Sequence, residues 1–94
     1  MPVDRHVLIR YRVLNRCLRN AHREFDINAL LDAVNRELEK HDCQPISERT
    51  LRADIQRLQE PPYNIELDES LKSGKRRLYR YSDVSFSLPM VTLD

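Results

Sequence analysis

The period of the hydrophobic pattern changes once along this 94-residue chain, at Pro61-Pro62. Before the prolines, apolar residues recur at three- and four-residue steps, the spacing of a helix face. After them Tyr63, Ile65 and Leu67 alternate with Asn64, Glu66 and Asp68, the two-residue period of a half-buried strand. Proline cannot continue a helix, and the residue before it avoids the helical region. The last helix must therefore stop near Gln59 or Glu60.

Three helices fit ahead of that boundary. The first is expected from about Asp4 to Asn20, with Val7, Tyr11, Leu14, Leu18 and Ala21 on its buried stripe. Arg5, Arg12, Arg16, Arg19 and Arg23 share the opposite side, while Ile9 and Arg10 fit neither. An arginine face of this kind is usually solvated; a phosphate or an acidic neighbouring domain are its functional alternatives. The second helix opens at Asp26, a good cap, and buries Ile27, Leu30, Leu31, Val34 and Leu38. The third follows Pro45-Ile46, is capped by Ser47, and buries Leu51, Ile55 and Leu58.

Beyond the prolines a second strand is expected over Arg77 to Tyr81. The connection from Glu69 to Arg76 contains the single glycine, Gly74, which reads as the positive-φ residue of a hairpin. The expected class is α+β: a three-helix winged helix-turn-helix with a C-terminal two-stranded β-hairpin wing, spanning 1–82. Residues 83–94 read as a tail or linker toward a further C-terminal domain. Its apolar residues Phe86, Leu88, Met90, Val91 and Leu93 either fold back on the domain or lead onward.

Composition excludes several classes. One-third of the residues are charged and no apolar run approaches the roughly 20 residues of a membrane span, so no membrane partner is expected. The N-terminus lacks the apolar stretch of a signal peptide, which predicts a cytoplasmic protein. Cys17 falls on an apolar face and reads as a small core residue; His41 and Cys43 lack a second ligand pair, so no metal and no cofactor are expected. His6, His22 and His41 have no serine or cysteine partner at readable spacing, and one glycine cannot build a phosphate loop. The chain reads as a non-enzyme.

Net charge is only +1, but its distribution is uneven. Residues 1–24 hold six arginines against Asp4 and Glu24, 25–46 hold two bases against five acids, and 61–81 hold five bases against three acids. Basic ends around an acidic middle suggest one positive face. In the third helix, removing the core stripe leaves Arg49, Arg52, Ala53 and Gln56, flanked by Thr50 and Arg57. Arginine and glutamine match guanine and adenine edges, and a helix of this size fits the major groove. The helix N-terminus, with the Ser47 and Thr50 hydroxyls, can hold a phosphate. Around the hairpin tip, Lys72, Lys75, Arg76 and Arg77 can reach backbone phosphates. The plain alternatives are a solvated helix face and an edge hairpin guarded by charge.

Three segments together resemble a known family. Ser47-x-Arg49-Thr50-Leu51-x-x-Asp54-Ile55-x-x-Leu58 is similar to the recognition helix at the N-terminus of bacterial WYL-domain transcriptional regulators. Leu8-Ile9-Arg10-Tyr11-Arg12-Val13 and Cys17-Leu18-Arg19-Asn20 resemble the first helix there, and Leu78-Tyr79-Arg80-Tyr81 the second wing strand. The likeness covers about 6–94. It implies a DNA-binding winged helix joined to a C-terminal ligand-sensing WYL domain, with groove-reading positions at Arg49, Thr50, Arg52 and Gln56. Ala53 departs from the pattern, because related helices often carry a basic residue there.

The functional expectation is sequence-specific binding of double-stranded DNA as part of a transcription regulator, with a homodimer formed through the further C-terminal part. The alternative is a winged-helix protein-interaction module that uses the apolar tail or the first-helix arginines. RNA binding is weaker, because Tyr63, Tyr79 and Tyr81 alternate with polar residues as packing residues do.

Overall fold

Local capping chemistry sets the helix boundaries. A computed structural model describes residues 5–83 and 85–88. Along the chain come α1 (Arg5–Leu18), α2 (Ile27–Lys40), α3 (Glu48–Leu58), β1 (Lys72–Ser73) and β2 (Arg76–Arg77). The Asp26 carboxylate accepts from the Ala29 amide at 2.8 Å, and the Ser47 hydroxyl from the Thr50 amide at 3.2 Å. Each satisfies one donor that the helix itself leaves unpaired. The end of α2 is a Schellman turn: the Cys43 amide donates to Leu38 O at 2.8 Å and the Asp42 amide to Glu39 O at 3.1 Å. The left-handed residue of this turn is Asp42, at φ 57°. None of the helices described is long and apolar enough to cross a membrane.

α1 is more central than a single stripe allows. Ile9, Tyr11, Val13, Leu14, Asn15, Cys17 and Leu18 are all buried, leaving mainly Arg5, His6, Arg12 and Arg16 outside. The helix ends at Leu18, so Ala21 leaves the stripe and is exposed, and Arg19 and Arg23 lie beyond the helix rather than on its face. The expected start at Asp4 lies outside the described residues. The stripes of α2 and α3 hold: Leu30, Val34 and Leu38, then Leu51, Ile55 and Leu58, are buried, with Ile27 and Leu31 packed at the margin.

The hairpin is present, but its arms differ from the alternation in sequence. Residues 63–66 form no strand. They turn off the end of α3, with the Asn64 amide on Glu60 O at 3.0 Å and the Ile65 amide on Leu58 O at 2.9 Å. Their alternation reflects packing on the helices, where Tyr63 meets Tyr11 edge-on at 5.8 Å and Ile65 is buried. The first arm is then interrupted. Leu67 bridges Tyr81, the Asp68 carboxylate turns back to accept from the Ser70 amide and hydroxyl, and pairing resumes at Lys72–Ser73 against Arg76–Arg77. Those hydrogen bonds, the hydroxyl's first, lower the Asp68 pKa below the usual aspartate value. The tip is Gly74-Lys75, with Gly74 at φ 65° as the turn requires.

The returning arm is shared between two neighbours. Leu78 and Ser82 donate to Leu71 O and Glu66 O, whereas Tyr79 and Tyr81 donate to Phe25 O at 2.8 Å and Leu18 O at 2.9 Å. Successive amides of an extended chain point opposite ways, so one strand holds the wing on one side and the α1–α2 connection on the other. The chain then folds back over α1. Asn15 Oδ1 accepts from the Tyr81 hydroxyl at 2.9 Å and the Leu88 amide at 3.1 Å, while Asn15 Nδ2 donates to Ser87 Oγ at 3.2 Å. Phe86 meets Tyr81 edge-on, and Leu88 is fully buried. Met90, Val91 and Leu93 lie outside the described residues.

Two substitutions test this packing. Asp42→Gly should stabilise the domain by about 0.5–1 kcal/mol in urea unfolding, because glycine takes positive φ without a Cβ clash and removes a carboxylate from the negative end of α2. Leu88→Ala should cost about 2–4 kcal/mol in the same measurement, as expected for a buried leucine.

Candidate nucleic-acid interface

The seating of α3 starts from Asp54, a carboxylate 1% exposed on the core side of that helix. Its partner is Arg10 of α1, which donates through Nε at 2.6 Å and Nη2 at 3.1 Å to the two carboxylate oxygens. Arg10 stands four residues before Leu14, so helical spacing places it inside the buried face. This answers why it fits no stripe: it is a core position occupied by a charge that Asp54 neutralises. A second clamp sets the approach to α3. Asn35 of α2 donates to Ile46 O at 3.2 Å and accepts from the Ile46 amide at 2.9 Å, pairing both backbone groups of the residue before the cap.

With the core side fixed, helical spacing turns Arg49, Ala53 and Gln56 outward, and all three are exposed. Arg52 and Gln56 lie toward the wing, where they border a cleft with Arg77 and Tyr79. Arg57 lies on the other flank, beside the phenol of Tyr11; burial raises that phenol's pKa and the Arg57 hydrogen bond opposes the rise. Thr50 is half-buried, with Oγ1 3.3 Å from Ser47 Oγ. The cations of this surface are not equally free. Arg52 donates to Glu48 at 2.9 Å, and Gln56 reaches Glu60 at 3.4 Å. Glu48 raises the Arg52 pKa above its usual value, with a smaller contribution from the Tyr79 phenol.

The wing residues also divide. Arg76 pairs with Asp26 at 2.7 Å, and Arg77 stacks over the Tyr79 ring at 4.8 Å with Glu69 at 4.0 Å. Arg49, Lys72 and Lys75 are exposed and form no ion pair among the described residues. The ten residues singled out in the sequence therefore sit on α3 and the adjoining hairpin, but Arg57 faces α1 and Arg76 is turned toward the start of α2. Arg10, Asn35 and the Asp26–Arg76 pair were not read as parts of this surface. The four-residue spacings Glu48–Arg52 and Gln56–Glu60 are the local signals in the sequence for the contacts on this face.

The family model for the N-terminal winged helix domain of WYL domain-containing proteins matches residues 6–82. The chain belongs to this family. Three helices followed by an antiparallel two-stranded hairpin agree with a winged helix. No curated protein and no solved structure matches the chain.

Within this winged helix domain, Arg10→Ala should cost about 3–5 kcal/mol in urea unfolding, because it leaves the Asp54 charge buried without its partner. Combining Arg10→Met with Asp54→Leu should recover most of that loss. Recovery would show that the pair is needed because one half cannot stand alone.

Proposed function

We propose that this winged helix domain binds double-stranded DNA in a sequence-specific manner, as the DNA-binding part of a transcription regulator. The outward face of α3 enters the major groove, and the wing lies on the flanking backbone. The observation that carries this reading is the exposed row of Arg49, Ala53 and Gln56 on a capped helix, with the basic hairpin tip beside it. Small Ala53 at the centre permits close approach, Arg49 offers paired donors to base edges, and Gln56 offers a donor and an acceptor. Lys72 and Lys75 supply contacts that position without specifying. Family membership supports the same reading. Residues 1–82 form the binding unit, with dimerisation through a further C-terminal part and work in the cytoplasm.

Fluorescence anisotropy of a labelled duplex, titrated with the chain at several salt concentrations, tests it. Contact with about four to six phosphates gives a log–log slope of roughly −4 to −5. Lys75→Ala should weaken binding to all sequences alike and reduce the slope by about 0.9. Arg49→Ala should weaken a selected operator by about 1–3 kcal/mol while leaving generic duplex less affected. Absence of salt-dependent binding by the unaltered chain would overturn the reading.

A further inference from the structure

The exposed side of the wing base, where it meets the start of α2, holds an open cleft of about 260 Å³. Three guanidinium-bearing residues from two elements line it: Arg52 of α3, and Arg76 and Arg77 of the wing. Asp26, Ile27, Asn28 and Tyr79 complete the lining. Tyr79 is buried and forms a fixed aromatic wall, over which Arg77 stacks.

The two partners of the Asp26–Arg76 pair are unequally held. Asp26 is 13% exposed, and its other carboxylate oxygen caps α2. Arg76 is 61% exposed and sits at the end of a two-residue strand. If the contact opens, it is Arg76 that moves. The Arg76 end of the pair is largely solvated and Asp26 keeps its bond to the Ala29 amide, so an incoming anion can compete for the guanidinium. Two oxygens of a tetrahedral phosphate can accept from the paired N–H groups of a guanidinium, whereas Asp26 offers Arg76 only the one oxygen that the cap leaves free.

We infer that this cleft seats one phosphate of the DNA backbone, and that Asp26 holds Arg76 in the free domain as an internal substitute for that phosphate. The inference rests on the DNA-binding reading above and assigns that reading one contact and its regulator. Asp26 has two roles: through one oxygen it caps α2, and through the other it withholds a wing cation. Binding transfers Arg76 from carboxylate to phosphate, and the remaining Asp26 charge repels the same phosphate. The wild-type sequence therefore binds DNA less tightly than its cation count allows. Arg52 and Arg77 reach the seat from the α3 and wing sides.

Asp26→Asn separates the roles, because asparagine caps a helix as well as aspartate but carries no charge. The test is a double-mutant cycle of Asp26→Asn and Arg76→Ala, read by anisotropy of a labelled duplex of generic sequence across a salt series. Thermal unfolding verifies that each variant folds, with Asp26→Ser as the second neutral cap. Asp26→Asn should tighten binding about threefold to fivefold at low salt. Arg76→Ala should reduce the salt slope by about 0.9. In the Arg76→Ala background the gain from Asp26→Asn should fall clearly below that in the unaltered background, leaving only the part due to relieved repulsion. An equal gain in both backgrounds overturns the inference, since it would reflect net charge alone. No change on Asp26→Asn, with the unaltered chain still binding, also overturns it and leaves the DNA-binding reading intact. Absence of salt-dependent binding by all four proteins overturns both.

Discussion

Arg10 and Asp54 meet where α1 crosses α3, and the orientation of the outward surface follows from that meeting. Taking two charges out of water is unfavourable, and only good geometry offsets it. Here the guanidinium addresses both carboxylate oxygens, so the pair is satisfied in one relative position of the helices. A purely aliphatic contact has no such directional requirement. Leu51, Ile55 and Leu58 supply the burial that stabilises α3, and Asp54 adds a charge-paired contact on the same side, so stripe and pair agree on which residues remain outside. Those are Arg49, Ala53 and Gln56.

Around that core the extended segment after the tip acts as a seam. Its alternate amides tie the wing to one side and the α1–α2 connection to the other. Asn15 then joins the end of the seam, the folded-back segment and α1 through one buried side chain. The wing is thus anchored at its base and open at its tip, where Gly74 and Lys75 are exposed.

Charge on this molecule is arranged by pairing as much as by number. Arg52, Arg76 and Arg77 each have a carboxylate within 4.0 Å, whereas Arg49, Lys72 and Lys75 do not among the described residues. Counting bases along the chain treats these six alike. Their availability to a partner differs, because a pair of modest strength still competes with an external phosphate.

The sequence by itself determined whatever depends on neighbours a few residues away. The caps at Asp26 and Ser47, the stop before Pro61-Pro62, the stripes of α2 and α3 and the glycine turn were all legible, because each satisfies backbone groups or a face within one or two turns. Tertiary structure alone decided the rest. Alternation at Tyr63 and Ile65 read as a strand, yet their backbone partners are at the end of α3. The spacing in α1 gives one stripe, yet neighbours cover most of its circumference. Arg10 fitted no pattern because its reason for being buried lies 44 positions away, and Arg76 is turned aside by a carboxylate 50 positions away. Charge pairs are formed by proximity in space, and periodicity along a chain carries no information about which distant charge will arrive.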